Sequence, residues 1–328
     1  MVAMTQIEKK VLKKEVNRIC AGITIYILIT FVVGILDIVI RGIDILVKYG
    51  TEENNYAEKQ FEAFVNEFIN HGEIYICGVL AGIIFLFFYF RKSHNITNLF
   101  HHKNKMTPLL FIEFLCVFMG TQLIFSYVGI GLENLLNRIG YTNEADLASA
   151  SATSVTVTMF IYASLLGPVI EEIIFRGFVM KGLERYGKEF AILFSALLFG
   201  LMHGNLCQNL FAFLTGIILG YVAMEYSLKW SVFLHILNNC LFGDLLGYLL
   251  SPFSEHTQNI VITTIEILFF IAGCVILYKR KNKLRHFHKR NKAAGKTYRY
   301  AFSCLFFILF AVMQLIITLG GIEKISDI

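Results

Sequence analysis

The sequence predicts an all-α, polytopic transmembrane helical bundle of about nine spans with a cytoplasmic amino terminus. Three observations predict it. Of 328 residues, 56% are hydrophobic and only 16% charged, whereas a soluble domain is roughly half apolar and a quarter charged. The mean hydropathy is +0.63. The apolar residues fall in runs near the roughly 20 residues that a helix needs to cross a bilayer core. Finally, the segments between runs alternate in charge.

In chain order the runs lie near 19–40, 73–90, 107–131, 152–172, 189–204, 206–225, 230–250, 259–278 and 301–320. Backbone groups in lipid must be satisfied internally, which makes these spans helices. A β-barrel would alternate apolar and polar residues, and the runs do not. Lys9, Lys10, Lys13, Lys14 and Arg18 precede the first span, and Arg91, Lys92, Lys103 and Lys105 follow the second. Lys181, Arg185 and Lys188 follow the fourth, Lys229 precedes the seventh, and ten Lys or Arg fill 279–299. The intervening 42–73 is instead rich in Asp44, Glu52, Glu53, Glu58, Glu62, Glu67 and Glu73. The positive-inside rule then sets the amino terminus in the cytoplasm and, with nine spans, the carboxyl terminus outside.

The net charge of +5 is accounted for by orientation and implies no nucleic-acid partner. The 279–299 run reads as a solvated cytoplasmic loop on anionic lipid. Within 42–73, Phe61, Phe64, Val65, Phe68 and Ile69 recur at helical spacing, as in a surface helix on the outer leaflet. The seven cysteines are scattered singly and read as small packing residues without a disulfide framework. The first run lacks a small-residue cleavage site and reads as a retained anchor. The expected location is an integral, multi-pass one: in a bacterium, the cell membrane.

Three regions follow: 1–150, with three spans and the outer acidic loop at 42–73; 151–250, whose spans carry ionisable groups; and 251–328, with two spans and the basic loop. An ionisable group in a span costs roughly 2.5–3.5 kcal/mol on insertion scales and is usually functional. Glu172 and Arg176 are four apart, acid first, and fit an ion pair. Glu171 is turned about 100° away and is the better working carboxylate. Pro168, just before it, kinks the span. Phe199, Gly200, His203 and Gly204 form a second group, whose glycines admit a close neighbour. His235 and Asn239 are four apart and share a face, whereas Asn238 points elsewhere, to cap or pack. Glu171 and His203 each lie 16 residues from Gly187, so a hairpin turning there brings them to one depth. His235 lies about 10 Å of helix in from the same side.

One Glu, two His and an Asn suit the activation of water. A divalent metal such as zinc, held by Glu171, His203 and His235, would lower the pKa of bound water. Alternatively, Glu171 and His203 hold the water without metal, the carboxylate acting as general base. His235 and Asn239 then donate to the oxyanion. No HExxH motif is present.

EExxxR at 171–176, FxxxH at 199–203 and HxxxN at 235–239, in order on successive spans, resemble the CPBP family. That family joins type II CAAX prenyl endopeptidases with bacteriocin-processing and immunity (Abi) proteins. The resemblance covers roughly 150–250. It implies an all-helical intramembrane endopeptidase with a chamber open to the cytoplasm and a membrane-associated peptide or protein as substrate. Under it Glu171 and His203 activate water, His235 and Asn239 hold the oxyanion, and Glu172, Arg176 and Phe199 support the site. It implies either metalloprotease or glutamate chemistry. The rival readings are a non-catalytic immunity or scaffold protein and a proton-coupled transporter.

Overall fold

A computed structural model describes residues 4–50, 56–68, 70–91 and 104–325. Lys92, Lys103, Glu52, Glu53 and Ile69 lie outside them. Helix α1 (Gln6–Tyr49) opens on a reciprocal cap: Thr5 Oγ1 accepts from Glu8 N at 3.2 Å, and Glu8 accepts from Thr5 N at 2.8 Å. Its 44 residues span about 66 Å at 1.5 Å per residue, twice a bilayer core. The surplus runs out of the bundle and is met by α2 (Tyr56–Phe68), which folds back along it. The Phe61 ring lies against Gly42, that of Phe68 near Gly34, and Arg41 stacks over Phe64 at 5.5 Å. The expected outer loop is thus a helical hairpin. Its phenylalanines face α1 as well as lipid, because α1 is long enough to offer them a protein partner.

Helix α3 (Gly72–Phe90) returns along α1, with Gly82 against the Tyr26 ring and Tyr89 donating to Arg18 O. Helices α4 (Pro108–Met119) and α5 (Thr121–Asn137) form one rod through Gly120, followed by β1 (Tyr141–Thr142) and α6 (Glu144–Ser151). Helix α7 (Val157–Tyr186), α8 (Lys188–Met202), α9 (Leu206–Glu225) and α10 (Leu228–Leu250) make the centre. Around them stand α11 (Glu255–Asn291), α12 (Thr297–Phe302), α13 (Leu305–Gly320) and β2 (Glu323–Lys324).

Among the described residues, seven helices are long and apolar enough to cross a membrane. All nine sequence runs are helical, but two fall short. Helix α8 has 15 residues, bounded by turns at Gly187 and at His203–Gly204. Helix α13 has 16, because the chain breaks after Phe302. The segment 279–299 is not a loop over most of its length, since α11 continues to Asn291.

The basic segments gather at one end. Thr297 Oγ1 reaches Met4 Sδ at 3.4 Å, and Lys9 lies over the Tyr300 ring. Lys188 pairs with Glu225 at 2.6 Å and His288 with Glu189 at 2.7 Å. At the opposite end β1 and β2 pair antiparallel, Asn205 donates to Asp146 O, and Thr156 donates to Asn70 O. This segregation is what alternating spans require. The largest buried cluster joins α1, α3, α7, α8 and α13, with Phe175, Phe178, Phe190, Phe194 and Phe310 all under 2% exposed.

Candidate active site

Helix α7 is wound irregularly on both sides of the acidic pair. Ile161–Leu166 takes a wide, π-helical turn in which Gly167 N donates to Tyr162 O, five residues back. Proline lacks an N–H, and its ring collides with the carbonyl four residues earlier. A widened turn just before Pro168 accommodates both defects, as π-bulges do at functional sites. A second π-helical stretch, Ile173–Met180, follows at once. The short regular stretch between them, Gly167–Glu172, carries both glutamates.

The turn at Gly187 has φ +122, a region open chiefly to glycine. It reverses the chain so that α8 returns beside α7. Helix α9 then packs closely on α8, since a Cβ at Gly200 would lie 2.6 Å from Asn209 O. Helix α10 follows, and α7, α8 with its cap, and α10 supply every motif residue.

The two glutamates have different surroundings. The Glu172 carboxylate is fully buried. It forms an ion pair with Arg176 Nη1 at 2.9 Å, accepts from His235 Nδ1 at 3.1 Å, and accepts from the Ser231 hydroxyl. Arg176, also sealed, donates to Gly216 O at 3.3 Å and lies over the Phe199 ring at 4.4 Å. The Glu171 side chain retains 22% exposure, and its Oε2 lies 3.7 Å from His235 Nε2. That gap is too long for a direct hydrogen bond. His235 therefore stands between the carboxylates, bonded to the sealed one and facing the open one.

Phe199 is the shared wall. Its ring meets His203 edge-on at 4.9 Å and His235 at 5.8 Å. His203 caps the end of α8, and its Nδ1 lies 2.8 Å from Phe199 O. A carbonyl only accepts, so Nδ1 carries the proton and a neutral ring presents Nε2 as an acceptor. Asn239 sits where α10 also widens, in the π-helical stretch Asn239–Leu245. Its Nδ2 donates to Ala163 O at 2.8 Å, and its Oδ1 accepts from Asn238 Nδ2 at 3.0 Å.

The residues that would hold a divalent metal are Glu171, His203 and His235. No three His, Cys, Asp or Glu side chains are grouped as a metal ion requires among the described residues. His235 has Nδ1 on Glu172, which fixes the ring and leaves Nε2 turned towards Glu171 without a direct hydrogen bond. All seven cysteines are free.

Three polar groups beside the site went unread in the sequence. Ser231 is one. Asp244, 2% exposed, accepts from Ser154 N at 2.7 Å and from the Ser164 hydroxyl, fastening α10 to the widened turn of α7. Glu266, 4% exposed on α11, accepts from Ser126 at 2.9 Å. Both acids lie within apolar runs, so the reasoning that singled out Glu171 applies to them. Asn238 is not the idle cap expected of it: it accepts from Gln122 Nε2 at 2.8 Å while donating to Asn239.

Residues 153–241, from the start of α7 into α10, match the family model for the Rce1-like type II CAAX prenyl endopeptidases. No curated protein and no solved structure gives a significant match. The matched segment contains every motif residue described above and ends two residues beyond Asn239. The chain is an integral, multi-pass membrane protein, and its 153–241 segment is similar to a peptidase family.

Proposed function

Since the core at 153–241 matches the family model for the Rce1-like type II CAAX prenyl endopeptidases, we propose that this chain is an intramembrane endopeptidase working by glutamate-activated water. One observation carries the reading: of two adjacent carboxylates, Glu172 is sealed in an ion-pair network, and Glu171 is open beside two histidines. A base must meet water, and Glu171 alone of the two does.

In the proposed reaction the Glu171 carboxylate accepts a proton from a water that also donates to His203 Nε2. The resulting hydroxide attacks the scissile carbonyl carbon. Charge moves onto the carbonyl oxygen, which accepts hydrogen bonds from His235 Nε2–H and the second Asn239 Nδ2–H. Glu171 returns its proton to the amide nitrogen, the C–N bond breaks, and an amine and a carboxylic acid leave, the acid then losing its proton to solvent. Glu172, through Nδ1, orients the His235 ring and balances its charge. The proposal routes no step through zinc.

The substrate class is a membrane-associated peptide or protein: a prenylated CAAX tail first, a bacteriocin leader second. The basic end, where α11 carries its Lys and Arg, rests on anionic lipid and faces the cytoplasm. The test is hydrolysis of a farnesylated, fluorogenic CAAX peptide by purified protein. Glu171→Gln should lower turnover by at least about 10³-fold at unchanged abundance, since the amide cannot take the proton. Equal turnover by wild type and Glu171→Gln would indicate a non-catalytic immunity or scaffold protein. A strong chelator should leave activity intact; loss that is restored by added zinc would reinstate the metal route.

A further inference from the structure

An oxyanion donor works only if its N–H is held where charge develops, because a group free to rotate loses most of its advantage. Asn239 has four hydrogen-bonding positions: two lone pairs on Oδ1 and two hydrogens on Nδ2. One hydrogen is bound to Ala163 O, and Oδ1 is held by Asn238 Nδ2. These two bonds fix the plane of the amide and leave a single N–H unassigned.

The bond to Oδ1 has its own support. Asn238 can donate to Asn239 only if its amide is turned with oxygen away, and that oxygen accepts from Gln122 Nε2 at 2.8 Å. The chain runs donor to acceptor throughout, from Gln122 to Asn238 to Asn239 to Ala163, across three helices. Reversing any amide would set oxygen against oxygen or nitrogen against nitrogen, so the polarity of the row is self-consistent. Gln122 is 9% exposed and Asn238 7%. An amide left unpaired at such depth is costly, which favours keeping every bond of the row. Gln122 stands on α5, outside the matched 153–241 segment, as the second residue after the hinge at Gly120.

We propose that Gln122, acting through Asn238, is a positioning residue that fixes the amide of Asn239 and so directs its one free N–H at the substrate carbonyl. The inference rests on the endopeptidase reading for its catalytic consequence, and on the hydrogen-bond row alone for its structural one. The α4–α5 rod thereby becomes part of the machinery rather than a lipid-facing wall.

The test uses the full chain in nanodiscs with the farnesylated CAAX peptide. Gln122→Met keeps the length and removes the donor. It should lower kcat about tenfold with KM changed less than about twofold, as loss of transition-state orientation does. Asn238→Asp, which keeps the acceptor for Gln122 but loses the donor to Asn239, should do the same. In an Asn239→Ala background Gln122→Met should have no further effect. Unchanged kcat, or an equal loss in both backgrounds, overturns the proposal, because a purely structural residue acts additively. A cryo-EM structure of Gln122→Met provides a readout free of turnover: the Asn239 Nδ2–Ala163 O contact should be lost or its amide reoriented, and an unmoved amide overturns the proposal. If wild type hydrolyses nothing in a Glu171-dependent way, the endopeptidase reading fails, and the structure still decides whether Gln122 holds Asn239.

Discussion

The chain contains two acid-to-arginine pairs of the same spacing and length in opposite surroundings. In α7, Glu172 and Arg176 are four apart and 2.9 Å from each other, and both side chains are 0% exposed. In the outward hairpin, Asp37 and Arg41 are four apart and 2.9 Å from each other, at 25% and 42% exposure. Sequence spacing predicts both equally. Burial gives them different work. The hairpin pair stays in reach of polar surroundings, where such a contact contributes about 0–1 kcal/mol. The α7 pair has lost all solvent, so each partner is the other's nearest opposite full charge within one helix, and removing one leaves a stranded ion. The neutralised Glu172 then leaves Glu171 as the acid open to chemistry.

That contrast is breakable by mutation. Glu172→Gln should destabilise the fold by about 3–5 kcal/mol, the usual result of stranding one member of a buried pair. The measurement is steady-state abundance and thermal unfolding in detergent; a stable, abundant Glu172→Gln protein without activity would transfer the catalytic role to Glu172. Asp37→Asn should change stability by less than about 1 kcal/mol and leave turnover alone, and a large loss there would show the hairpin to be braced by charge. The smallest effect is expected at the far end. Burial, with Glu323 adding to it, holds the Asp146 carboxyl above the usual carboxylate range. An acid raised in the folded state favours folding when protonated, so this contribution is present at low pH and lost as pH rises through the folded value. The protection of the Ile325 amide, which donates to Gly140 O, measured relative to its intrinsic exchange rate, should therefore fall with rising pH, and Asp146→Asn should remove that fall.

Much of the bundle was legible because lipid imposes a simple rule. Every apolar run became a helix, and the charge alternation anticipated which segments share an end. The lengths were less legible. A run shows where a helix is apolar, not where it stops, so the polar extensions of α1 beyond Ile40 and of α11 to Asn291 went unread. At the site, the i,i+4 rule anticipated the Glu172–Arg176 pair, and the symmetry about Gly187 anticipated the α7–α8 hairpin. Helical spacing is silent on partners from other helices. It left Ser231 and Gln122 invisible, and it assigned Asn238 to packing because one helix alone gave it nothing to bond. The π-helical turns were hidden too, although Pro168 marked where the first would fall.

The gathering of the basic end also bears on biosynthesis. Helix α1 leaves the ribosome before the helices it packs against, yet its first turns find partners nearly 300 residues further along the chain. Met4 waits for Thr297, Lys9 for Tyr300, and the Asn17 side chain for the amide of Phe306. Nearly 300 residues must be inserted before the first helix is fully clasped. Until then Leu12 and Val16, buried in the finished protein, keep part of their packing surface open to lipid or to a membrane chaperone. A ribosome stalled near residue 290 would therefore carry a complete set of motif residues on a bundle whose amino-terminal helix is not yet closed.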